Sequence, residues 1–104
     1  MKILIPKNKI SNPESGIRRC GYGQVVDRRR GQVSYARRLT GGLYPRFHVY
    51  IEEAGDNWSF NLHLDQRAPI YTSVTAHSGE YDGEVVEGEG DRIVKLLLAL
   101  TVSA

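Results

Sequence analysis

The sequence predicts an α+β fold: a small antiparallel β-sheet of three to four strands, covered by one C-terminal helix, with a basic N-terminal arm and hairpin. Three observations carry this. Phe47, Val49 and Ile51, and then Trp58, Phe60, Leu62 and Leu64, alternate with polar residues at period two, the mark of half-buried strands. From Asp91 to about Val102, Ile93, Leu96, Leu97 and Leu100 share one helical face. Gln24 to Leu39 holds two β-branched runs around Asp27-Arg28-Arg29-Arg30-Gly31, the pattern of a hairpin with an arginine tip. Strands followed by a single helix need that helix to cover the apolar face of the sheet.

Lys2 to Ile5 is a short apolar run stopped by Pro6, an edge strand or an ordered tail. Lys7 to Gly16 has no period and reads as a loop or a disordered arm. The 104 residues are expected to form one domain, with 1–23 a flexible basic arm and 24–104 a compact sheet and helix. Ala54-Gly55-Asp56-Asn57 has turn chemistry between the two alternating stretches. A third strand is expected at Ile70–Ala76, opened by Pro69, and a polar loop at His77–Gly83. Gly88 and Gly90 argue for starting the helix at Asp91, a suitable N-cap. Its apolar residues exceed a single stripe, so a second copy docking on this helix is one expected partner.

Composition excludes several classes. No uncharged stretch, the apolar C-terminal Leu96–Ala104 included, approaches the ~20 apolar residues of a membrane span, and no secretory leader is visible. One cysteine, Cys20, leaves no internal disulfide and no CxxC pair, which fits a reducing, cytoplasmic setting. No phosphate loop or nucleophile elbow is present, no catalytic residue is nominated, and the chain reads as a binding module rather than an enzyme.

The net charge of +2 conceals an asymmetry. Residues 1–50 carry eleven Lys and Arg against two carboxylates, and residues 51–104 carry three against ten. Either the halves neutralise each other or the first half meets a polyanion. Arg18, Arg19, Arg28, Arg29, Arg30, Arg37 and Arg38, interleaved with Tyr22 and Tyr35, are the candidate contacts to RNA or DNA. Arginine forks bind phosphate, and tyrosine faces stack on unpaired bases.

A second candidate follows from strand register. With a turn at 54–57, opposed residues sum to 111, so His48 faces His63 with Cβ atoms about 5 Å apart. Asp65, two residues along the same face, would complete a transition-metal set and make a metal-dependent enzyme the alternative reading, although Arg46 lies opposite it. His77 would lie roughly 13–20 Å from His63 along the sheet. With Glu80 and Asp82 it marks at most a separate loop site.

The strings YPRFHVYIEE (Tyr44–Glu53), NLHLDQ (Asn61–Gln66) and AHSGEYDG (Ala76–Gly83) resemble segments of short uncharacterised proteins of uncultured bacteria. The likeness brings no activity, cofactor or partner with it.

Overall fold

A computed structural model describes residues 1–66, 79–80 and 83–102. The elements are β1 (Lys2–Pro6), α1 (Pro13–Arg19), β2 (Gly23–Asp27), β3 (Gln32–Arg38), β4 (Arg46–Ala54), β5 (Asn57–Asp65), β6 (Gly79–Glu80) and α2 (Glu84–Val102). The strands form one antiparallel sheet in the order β1-β5-β4-β3-β2, and the two-residue β6 pairs with the end of β5. The α+β class and the helix-covered antiparallel sheet are as the sequence indicates. The sheet reaches five full strands because the arginine hairpin and the N-terminal strand join it rather than standing apart. The expected strand at 70–76 lies outside the described residues.

The long hairpin β4–β5 has the register read from the sequence, including Arg46 opposite Asp65, His48 opposite His63 and Tyr50 opposite Asn61. Ala54 pairs with Asn57, so the turn is the two residues Gly55-Asp56, and Gly55 takes a φ of 62° that a side chain would resist. Phe47, Val49, Phe60, Leu62 and Leu64 turn to the covered face. There they meet Ile3 and Ile5 of β1, Ile17 of α1, and Val86, Ile93 and Leu97 of α2 in one core. Their odd–even neighbours, His48, Tyr50, Asn61, His63 and Asp65, are thereby placed on the opposite face.

Two expectations need correcting. Residues 1–23 are an ordered part of the fold: β1 pairs along β5, and Met1 exchanges 2.8 Å backbone hydrogen bonds with Leu62. Within that stretch the Asn12 side chain accepts the Ser15 amide at 3.0 Å and Pro13 opens α1, a helix start hidden among polar residues. The C-terminal helix begins at Glu84, seven residues before Asp91. One of its glycines is closely packed: a Cβ on Gly90 would lie 2.5 Å from the Met1 sulfur, so any side chain there would have to displace the Met1 thioether. On α2, Leu97 is fully buried, while Leu96 and Leu98 remain partly exposed. Among the described residues no helix is long and apolar enough to cross a membrane.

Candidate metal centre

The alternation that buries Phe47, Val49, Leu62 and Leu64 delivers His48, His63 and Asp65 together on the other face. Donor atoms of these three side chains all lie within 4.8 Å of one another. His48 Nδ1 stands 3.1 Å from Asp65 Oδ2, and His63 Nε2 stands 3.0 Å from Asp65 Oδ1. Each carboxylate oxygen thus faces one imidazole nitrogen. The cluster is well shielded, with side-chain exposures of 9%, 12% and 19% for His48, His63 and Asp65. Burial alone would raise the Asp65 pKa. Hydrogen bonds from His48 and His63, and the charge of those rings when protonated, outweigh it and hold the carboxyl well below the usual range.

Neighbours fix these groups in place. Ser34 of β3, itself buried, lies with its Oγ 2.6 Å from His48 Nε2. Arg46 Nε donates to Asp65 Oδ2 at 3.2 Å, and its guanidinium sits over the Tyr44 ring. Tyr50 stacks on His63 with ring centroids 5.8 Å apart and planes 17° from parallel. Ser34 and Tyr50 were not foreseen as parts of this site. Tyr50 shares the polar alternation of β4, but Ser34 depends on how β3 meets β4, and the seven-residue connection 39–45 has no short turn to fix that pairing. His77 and Asp82 lie outside the described residues.

Donor chemistry and spacing suit a divalent transition ion. Zinc binds imidazole nitrogen and carboxylate oxygen at about 2.0–2.2 Å, which sets tetrahedral donors about 3.4 Å apart. The carboxylate oxygens are already nearer than that to their imidazole partners. An ion held by these residues would take the place of the two bridging protons and would require the donors to move apart. The Ser34 hydroxyl suits both states, because it can donate to a bare His48 Nε2 or accept from Nε2–H once Nδ1 ligates.

The proposed nucleic-acid residues divide into three groups. Arg28, Arg29 and Arg30 occupy the turn between β2 and β3, and Arg18, Arg19 and Arg38 are likewise exposed. Arg37 is drawn inward, 3.4 Å from Glu89. Tyr22 and Tyr35 require a correction: they are 3% and 2% exposed, and their rings belong to the core rather than to a base-stacking surface. Tyr22 is held there by its hydroxyl, which donates to Glu89 Oε2 at 2.6 Å. Glu89 in turn accepts two hydrogen bonds from Arg92, at 2.7 and 2.9 Å, and Arg92 also reaches the Cys20 carbonyl. Cys20 is buried, and burial pushes its thiol pKa up, which makes it a poor nucleophile.

Comparison of the chain with protein-family models, curated proteins and solved structures returns no match.

Proposed function

We propose that this protein is a small metal-binding module in which His48 Nδ1, His63 Nε2 and one Asp65 oxygen hold a divalent transition ion. The observation that carries the reading is the convergence of these three donors within 4.8 Å on the sheet face opposite the helix-covered core. Two imidazoles and a carboxylate favour zinc or a neighbouring first-row ion over magnesium or calcium, which prefer all-oxygen shells. Arg46 occupies Asp65 Oδ2 and leaves Oδ1 as the natural single-oxygen ligand. Three protein ligands leave a coordination position for water, as in catalytic zinc sites, so metal-assisted hydrolysis is the activity class to screen.

Equilibrium dialysis of tag-free protein tests this. One zinc ion per chain is expected, bound more weakly on acidification because the ligating imidazoles must surrender protons. His63→Ala and Asp65→Asn should each weaken binding at least a hundredfold. A wild-type chain that binds no stoichiometric zinc at neutral pH, or variants that bind like wild type, would overturn the assignment.

A further inference from the structure

The arginine hairpin has a geometry the metal centre does not use. Arg28, Arg29 and Arg30 form the apex of β2–β3, and all three are exposed. The turn beneath them is pinned, because Asp27 Oδ1 accepts the backbone amides of Arg29 and Arg30 at 3.0 and 3.3 Å. Its other oxygen stands 4.0 Å from Arg30 Nε, and among the described residues neither Arg28 nor Arg29 has an ion pair. Elsewhere the carboxylates with close cationic partners are already committed: Asp65 to Arg46, Glu89 to Arg92 and Arg37, and Glu53 to Lys7.

A second set of cations lies at the base of the same hairpin. Arg18 and Arg19 close α1, and Arg18 reaches Gln24 near the start of β2. Arg38 ends β3 beyond the Gly23–Ala36 pair. The two sets are separated by the length of β2, Gly23–Asp27, roughly 13–17 Å at the usual strand rise. β2 is an edge strand and is exposed at every residue but Val25. A lone phosphate or carboxylate would engage only one end of this arrangement, whereas an extended polyanion engages both. With Tyr22 and Tyr35 in the core, neither can stack on unpaired bases, and the exposed arginine forks are left, which contact phosphates. That favours a duplex, whose backbone has the highest charge density.

We infer that the β2–β3 hairpin is a sequence-independent contact surface for the phosphodiester backbone of duplex nucleic acid, with Arg28, Arg29 and Arg30 at one end and Arg18 and Arg19 at the other. The surface is independent of the metal centre. The competing role for cations beside an edge strand is to block edge-to-edge pairing.

The test is fluorescence anisotropy of the full chain with a labelled 20-base-pair duplex DNA and a single-stranded RNA of the same length. The duplex should bind more tightly, and its affinity should fall several hundredfold between 50 and 200 mM salt, the loss expected for about five neutralised phosphates. The combined substitution Arg28→Ala, Arg29→Ala, Arg30→Ala should cost at least tenfold at 50 mM salt and flatten the salt dependence. The corresponding triple lysine variant should retain most of the affinity, and zinc binding should be unchanged in both. No duplex binding at 50 mM salt, equal binding by the alanine variant, or a preference for the single strand would overturn the inference. So would an alanine variant that aggregates while wild type binds no duplex, which would assign the arginines to edge protection.

Discussion

Two carboxylates anchor the polar structure of this molecule, and their partners differ in kind. Glu89 is buried in the helix-covered half, where Tyr22, Arg92 and Arg37 approach it. Asp65 is on the opposite face of the sheet, between two imidazoles, with Arg46 alongside. Both are ionised below their ordinary range despite burial, because donors surround them. Arginine and tyrosine partners can only hold a carboxylate, whereas imidazole can exchange its proton for a metal. The first cluster therefore acts as a lock between α2, α1 and β3, whereas the second has the donor chemistry of the metal site proposed above.

The largest expected effect falls on the lock. Glu89→Ala strands the buried Tyr22 hydroxyl and leaves Arg92 with the Cys20 carbonyl as its hydrogen-bond acceptor, and should cost about 3–5 kcal/mol in urea unfolding. A cost below about 1 kcal/mol would erase the distinction between the clusters. Leu97→Ala, at a fully buried position where α2 meets the core, should cost about 2–5 kcal/mol and serves as the apolar reference.

The site should respond to ligand instead. Zinc at a hundred times its dissociation constant should stabilise wild type by about 2.7 kcal/mol and His63→Ala by no more than about 0.4 kcal/mol, as read by thermal unfolding. Equal stabilisation of both would place the ion elsewhere. Ser34→Ala should weaken zinc binding by about 10–100-fold, since His48 then loses the hydroxyl that orients its ring. Ser34→Thr should recover much of that loss. Unchanged affinity in the alanine variant would reduce Ser34 to a packing residue.

Acid should reveal the lock more gently. In Glu89 the pKa-raising effect of burial is outweighed by hydrogen bonds from Arg92 and Tyr22, so the unfolded chain takes up the proton first. That stability is complete above about pH 4.5 and is lost as pH falls through the lower native value. Glu89→Gln should flatten the decline of the urea midpoint in that window, and superimposable wild-type and variant curves would contradict it. The smallest effect belongs to the hairpin apex, where the triple alanine substitution should move stability by no more than about 0.5 kcal/mol.

The same contrast explains what the sequence discloses. Period-two alternation and a short turn fix the register of β4 and β5, so the placement of His48 opposite His63 with Asp65 nearby is legible before any coordinates. Ser34 is hidden because pairing across the 39–45 connection has no local signal. Glu89 is hidden because Gly88 and Gly90 resemble a helix break until the close approach of Met1 explains Gly90. The arginines are plain in the sequence, but their fates are not. Arg37 is drawn inward by a glutamate 52 positions away, while Arg28 sits exposed on the turn between β2 and β3.

X-ray absorption at the zinc edge of the loaded protein tests the central assignment most directly. A first shell of nitrogen and oxygen at about 2.0–2.1 Å is expected, with outer-shell scattering from two imidazoles that drops to one in His48→Ala. A sulfur shell at about 2.3 Å would point to Cys20, and an all-oxygen shell without imidazole scattering to loosely held hydrated ion. Either would contradict a metal centre at His48, His63 and Asp65.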